Sequence, residues 1–253
     1  MSTFAPGTFS PKPKRVGVAA MARAQGTIES KLMLRHGEQQ LLSIVVPLAI
    51  LIGAAQMKDI TGHGMEEIFP MVLAVAATSS GFTGQAISLA FDRRYGALKR
   101  TGASGVPAWA IVVGKILAVL SMVVVQVVVL GAVAAFLGLR VGPAGIAVGA
   151  LTLVLGVATF TALGLLLGGT LSSEIVLAVA NLIWFLLLGV VGWAMYSQGL
   201  GNDGLLTVVP TVALASGLDN AFTGTFPGFQ LLVLAGWAAV ASFAAVRWFR
   251  FEG

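Results

Sequence analysis

The sequence predicts an all-α fold threaded through a membrane. It is a polytopic bundle of six transmembrane helices, with an N-terminal interfacial amphipathic helix and a re-entrant helical segment before the last span. Three observations predict it. Of the 253 residues, 57% are hydrophobic and only 10% charged, with a mean hydropathy of +0.95, whereas soluble domains run at about 45–50% apolar and about 25% charged. The apolar residues come in unbroken runs near the roughly 20 residues a helix needs to cross hydrocarbon, not in the alternating segments of about 10 residues that build a membrane barrel. The basic residues gather in the loops on one side of those runs. A soluble fold of this length has too little interior for so much apolar surface.

Residues 1–18 are polar, rich in Pro and Gly, and carry Lys12, Lys14 and Arg15. No apolar core of about 7–15 residues follows directly, so they read as a disordered cytoplasmic tail rather than a cleaved signal. Within 19–38, Met21, Ala24, Ile28 and Leu32 recur at helical spacing, while Arg23, Glu29, Lys31 and Arg35 interrupt any apolar run. That pattern predicts an amphipathic helix lying in the cytoplasmic interface; a short solvated linker helix is the other reading. The six spans are placed at about 41–57, 68–91, 111–139, 144–169, 175–196 and 229–246, within a domain covering 39–253. Pro47 falls inside the first, where neighbouring helices satisfy the backbone group it frees. The segment 197–227 is long for a loop and rich in apolar residues. Pro210 heading TVALASGL suits a helix start, and Gly217 and Asp219–Asn220 a stop. About 205–222 is therefore expected to dip into the outer leaflet and return, with an ordinary outer loop as the alternative.

Lys and Arg set the orientation. An inside N-terminus places Lys12, Lys14, Arg15, Arg23, Lys31 and Arg35 in the cytoplasm, then Arg93, Arg94, Lys99, Arg100 and Lys115, and finally Arg247 and Arg250. Only Lys58 and Arg140 are left outside, so both termini are expected in the cytoplasm of a bacterial cell, with the spans in its cytoplasmic membrane. The net charge of +5 follows the loops rather than one face, which argues against nucleic acid as a partner.

Several chemistries are excluded. Cysteine is absent, so there is no disulfide framework, thiolate site or cysteine nucleophile. The histidines are His36 and His63, and His63, between Gly62 and Gly64, reads as a loop residue rather than a metal ligand. No G-x-x-x-x-G-K-[ST] stretch exists to cradle a phosphate; Gly114–Lys115 lacks the upstream glycine and reads as a helix with a snorkelling lysine. No span carries a paired His/Glu or Ser/His constellation, and no cofactor is expected in this chain. Asp59, Glu66, Glu67, Asp203 and Asp219 fall outside, and Glu174 follows Ser172–Ser173 as part of a helix cap. Ion-coupled carriers need intramembrane carboxylates or broken helices, so an ion-driven pump is disfavoured.

Polar side chains inside spans mark either a route or a helix contact. Thr78, Gly81, Gln85 and Ser88 share one face of the second span, and Thr152, Gly156 and Thr159 one face of the fourth. Gln126 and Asn181 are the most polar single groups of the third and fifth. Thr78, Gln85, Ser88, Gln126 and Asn181 are the candidates for a translocation path; the competing reading is close helix–helix packing, as in Gly164-x-x-x-Gly168.

The most informative stretch is 91–115, FDRRYGALKRTGASGVPAWAIVVGK. Its basic residues lie in an inside loop too short for a domain. Asp92 to Arg100 is expected to form a short helix with Arg93 and Arg94 turned away from Tyr95 and Leu98; Thr101-Gly-Ala-Ser-Gly breaks it, and Pro107 starts the next. The bland reading is a topogenic loop touching anionic lipid head groups; the sharper one is a docking element for a cytoplasmic partner.

This stretch resembles the cytoplasmic coupling segment of ABC-2 type transporter permeases. Asp92, Arg93, Arg94, Gly96, Leu98, Lys99, Arg100, Pro107, Gly114 and Lys115 match that family's pattern, although Asp92 stands where Glu is common and Thr101 where Leu is usual. ESKLMLRHGEQQLLSIVVPLAI resembles the family's interfacial helix, and VVPTVALASGLDNAFTG its re-entrant helix. The resemblance implies a dimeric permease, paired with a second copy or a paralogue. It also implies two ABC ATPase subunits, which supply the ATP and Mg sites. Asp92, Arg93, Arg94, Tyr95, Leu98, Lys99 and Arg100, in the coupling segment 92–113, would transmit their motion. The implied function is export of a hydrophobic or amphipathic compound such as a drug, antibiotic or lipid. A non-transporting membrane scaffold or assembly factor is the reading from another class.

Overall fold

The computed structural model describes residues 17–35, 37–56, 62, 64–201 and 204–248. Most of the tail, with Lys12, Lys14 and Arg15, lies outside the described residues. So do His36, Lys58, Asp59, His63, Asp203 and Arg250.

The described chain is helical, with no strand among the described residues. Its elements are α1 (Val18–Arg35), α2 (Gly37–Gln56), α3 (Met65–Arg94), α4 (Ala97–Ala103), α5 (Ala108–Phe136), α6 (Pro143–Thr170), α7 (Ser173–Gln198), α8 (Pro210–Thr223) and α9 (Gly228–Arg247). A 3-10 turn at Leu205–Val208 leads into α8. Among the described residues five helices are long and apolar enough to cross a membrane: α3, α5, α6, α7 and α9. The apolar part of α2, Ser43–Gln56, falls short of that length. The second, fourth, fifth and sixth predicted spans are each matched by a helix one to three residues longer at both ends, because polar first and last turns continue past the apolar run. By contrast, α2 starts four residues before the first predicted span and stops one residue short of its end. The third starts at Ala108 but stops at Phe136, where Gly138 takes φ 103°.

Glycine decides how the helices pack. α6 contacts α3, α5, α7, α8 and α9, and one of its faces is a ladder of small residues. A Cβ on Gly156 would lie 2.6 Å from Leu214 of α8, and one on Gly145 2.7 Å from the carbonyl of Ala221. Further along, a Cβ on Gly164 would lie 2.5 Å from the carbonyl of Phe82 in α3. With no side chain between them the backbones meet, which is how apolar helices associate where lipid removes the hydrophobic drive. α8 is buried along nearly its whole length, from Pro210 to Asp219 and again at Ala221. It starts with proline at its head and stops at Gly224, whose φ of 88° suits only glycine readily.

α3 is interrupted midway by a π-turn at Ser79–Thr83. Such turns leave backbone and hydroxyl groups out of the regular ladder and cluster at functional places. Here the turn sits where Ser80 of α3 meets Gln126 of α5.

Candidate functional site

The loop between the second and third predicted spans folds as a joint. α3 runs on through Asp92, Arg93 and Arg94, so these residues form its last turn rather than the start of a separate helix. Tyr95 ends it, and Gly96 turns the chain with φ 71°, a left-handed value that costs glycine little. α4 follows, and Pro107, with ψ 152°, is the extended residue that launches α5. The expected helix Asp92–Arg100 is thus split in two, because the left-handed residue breaks the helical phase between Arg94 and Ala97.

That break decides where each side chain points. Arg93 is buried, and its Nη1 donates to the carbonyls of Gly168 at 2.9 Å and Leu171 at 3.0 Å. It satisfies carbonyls at the end of α6 that have no partner within the helix, where a cation also suits the helix dipole. Arg94 reaches the opposite terminus of the next helix, donating to Ser173 Oγ at 3.2 Å and pairing with Glu174 at the start of α7. Leu98 is buried in a small core with Leu89, Ile111, Val112, Leu165 and Ala245. Arg93 and Leu98 were expected on a docking surface; both are instead anchors turned inward.

Lys115 also lies elsewhere than its sequence context suggests: it is buried. It does not snorkel. Its Nζ lies 3.1 Å from Glu29 Oε2 of α1 and 3.3 Å from Asp92 Oδ2 of α3, and its side chain is 5% exposed. Gln25 Nε2 donates to the other Glu29 oxygen at 3.1 Å. Two glycines permit this approach: a Cβ on Gly114 would lie 2.5 Å from Gln25, and one on Gly26 2.6 Å from Leu117. Lys115 stands about 10 Å along α5 from Ala108, near the helix end rather than at mid-membrane. The acidic partners lie far off in the chain, and only the match between a charged α1 face and a lone lysine in an apolar helix hints at them.

What remains outward is a compact surface. Tyr95 is 69% exposed and stacks on Phe91 at 6.0 Å between ring centres. Lys99 and Arg100 are exposed on α4. Beside them a hollow of 540 Å³ is lined by Lys99, Gly102, Gly105 and Pro107, among others. A basic, aromatic-edged ridge with a hollow behind it suits a complementary protein surface.

The polar groups within the spans divide. Gln126 is wholly buried, and its Nε2 donates to Ser43 O and Ser80 Oγ, both at 2.9 Å, tying α5 to α2 and α3. Beside that node a cavity of 310 Å³ is lined by Ser43, Ser79, Ser80 and Thr83, with Met33 and Trp184 among its apolar walls. Thr78, Gln85, Ser88 and Asn181 do not line it. Thr78 bonds back to Ala74 O at 2.7 Å, and Gln85 faces the sulfur of Met33 at 4.0 Å. Asn181 bonds Leu177 O of its own helix at an exposed position. In α6, Thr159 Oγ1 lies 2.9 Å from Leu234 O of α9, a helix contact. The hydroxyl run Ser79–Ser80–Thr83, not the face beginning at Thr78, borders the cavity, because the π-turn shifts the register of α3 between them. No group of three potential metal ligands occurs among the described residues.

A family model described as ABC-2 type transporter matches residues 25–201, from the middle of α1 to just past α7, and so takes in the joint, the lysine triad and the Gln126 node. No curated protein matches the chain.

Proposed function

The chain belongs to the ABC-2 type transporter family, and from that premise we propose that it is the permease of an ATP-driven exporter in the bacterial cytoplasmic membrane. The family's membrane subunits normally work with separate ABC ATPase subunits. In this reading two of them bind ATP and Mg and seat on Tyr95, Lys99, Arg100 and the adjoining hollow, and a second permease completes the pore. α2 serves as the sixth span, α8 is re-entrant, and both termini face the cytoplasm. α1 lies in the interface with Ile28 and Leu32, both exposed, toward lipid.

One observation carries the proposal: the joint is braced on every side. Arg93 holds it to α6, Arg94 to α7, and Asp92 through Lys115 to α5 and α1. A push on α4 is therefore delivered to several helices at once instead of being absorbed in a slack loop. The cavity beside the π-turn, apolar walls with a few hydroxyls, favours an amphipathic or hydrophobic cargo over an ion, since such pockets fix a greasy ligand with sparse polar contacts.

Co-purification tests it. The tagged chain, extracted in mild detergent from its native membrane, should bring down an ATPase subunit. Changing Tyr95→Ala, Lys99→Glu and Arg100→Glu together should remove that subunit while the permease still inserts and elutes as folded protein. An undiminished complex in the triple variant would show that the ridge is not the docking face.

A further inference from the structure

We propose that the furrow between α5 and α6, at the end of the bundle away from α4, holds an acyl chain of one phospholipid whose phosphate sits on Arg140. The furrow measures 590 Å³, within the roughly 300–1,000 Å³ of small-molecule sites. Along α5 it runs from Leu120 to Ala135, about 22 Å of helix rise, more than the roughly 15 Å of one leaflet in a hydrocarbon core of about 30 Å. Valines of α5 and Ile146 and Val154 of α6 form its walls. Its floor is the stacked pair Phe69–Phe222, 5.9 Å between ring centres. Gly131 keeps it open: a Cβ there would meet only Phe69, at 3.8 Å.

Among the described residues Arg140 supplies the sole polar side chain of the lining. Water entering the furrow would find no set of partners, and an apolar cavity of this kind takes hydrocarbon instead. Arg140 is exposed at the mouth, and both of its hydrogen bonds among the described residues come from Nη1, to the carbonyls of Ala135 and Leu139 at 3.0 Å. Those bonds hold a guanidinium at the head of a hydrocarbon-shaped slot. A phosphodiester at the head of an acyl chain is its chemical complement. A helix of a second copy, about 10–12 Å across with its side chains, does not fit such a volume and leaves the cation unneutralised. The site is separate from the cavity at the π-turn and does not depend on what the transporter carries.

Native mass spectrometry of the full chain in mild detergent tests this. The wild type should retain one phospholipid. Gly131→Leu, which projects a side chain into the furrow, should lose it. Arg140→Gln, a surface change that leaves packing intact, should retain roughly tenfold less, the loss expected of one charge-assisted hydrogen bond. Added phosphatidylglycerol should reload the stripped wild type, whereas diacylglycerol, with the same chains and no phosphate, should not. The proposal is overturned if the wild type carries no phospholipid, or if both variants carry as much as it does. It is equally overturned if Gly131→Leu changes the oligomeric state with the lipid count unmoved.

Discussion

Lys115 Nζ lies 3.1 Å from Glu29 Oε2, a pairing between residues 86 positions apart that fastens α1 to the foot of α5. Asp92 shares the same ammonium at 3.3 Å. The three groups differ in depth, with side-chain exposures of 5% for Lys115, 18% for Glu29 and 39% for Asp92. Stranding a buried charge costs about 3–5 kcal/mol, far more than losing a pair whose survivors reach water. Glu29→Gln with Asp92→Asn, which strands the lysine, should therefore lower the thermal midpoint in detergent more than Lys115→Met, which leaves two wetter carboxylates. The reverse order would mean the acids, not the lysine, bear the burial.

Leu98 and Tyr95 should part company in the same experiment. Leu98→Ala empties a site in the small core beneath α4 and should cost about 2–5 kcal/mol, visible as earlier unfolding and proteolysis within 97–103. Tyr95→Ala touches an exposed ring and should change stability by no more than about 0.5 kcal/mol, yet reduce ATPase stimulation in the assembled complex. Equal stability losses would place Tyr95 in the packing rather than on the docking ridge.

Whatever depends on local composition was legible beforehand. The apolar runs announce α3, α5, α6, α7 and α9, and Pro210 announces the start of α8, because each is written in consecutive residues. The expected stop at Gly217 and Asp219–Asn220 is not one, since the helix runs through them to Thr223 and ends at Gly224. Pairings across the chain were not. The motif singles out Arg93 and Leu98 without saying which way they face, since the direction is reset by one left-handed residue, Gly96. The partners of Arg93, at Gly168 and Leu171, are backbone carbonyls, which leave no residue type to recognise. The π-turn at Ser79–Thr83 displaces the polar face of α3, so a strict helical count points to Thr78 and Gln85 instead of the hydroxyls that border the cavity.

Two glycine substitutions should separate contact from flexibility. Gly164→Leu forces a side chain against the carbonyls of Gly81 and Phe82, which a Cβ alone would approach to 2.8 and 2.5 Å. Backbone cannot yield as a side-chain tip can, so α3 and α6 should part and the protein should fail to accumulate in the membrane. Gly236→Ala, in α9 with nothing within 4 Å of the new carbon, should instead stabilise by about 0.5–1 kcal/mol. The pair is read by expression level and thermal midpoint. A tolerated Gly164→Leu would show that the two helices do not depend on that approach.

Asp219 makes stability depend on pH. It is buried near the end of α8, and loss of solvation, then the charges of Glu67 and Glu66 at the start of α3, push its carboxyl from 3.8 up to about 6. The folded state therefore binds more protons than the unfolded state between about pH 4 and pH 6, and linkage makes stability fall as pH rises through that window. Above it the penalty is constant, on the order of 3 kcal/mol. Asp219→Asn removes the ionisation while keeping the shape, so it should raise the thermal midpoint at pH 7.5 and leave it nearly unchanged at pH 4. Replacing Glu66 and Glu67 by Gln should recover part of that gain, because their charges are two of the three causes of the shift. A midpoint for Asp219→Asn that is lower than wild type at pH 7.5 would mean the carboxylate makes a favourable contact outweighing its burial, and the sign of the argument would reverse.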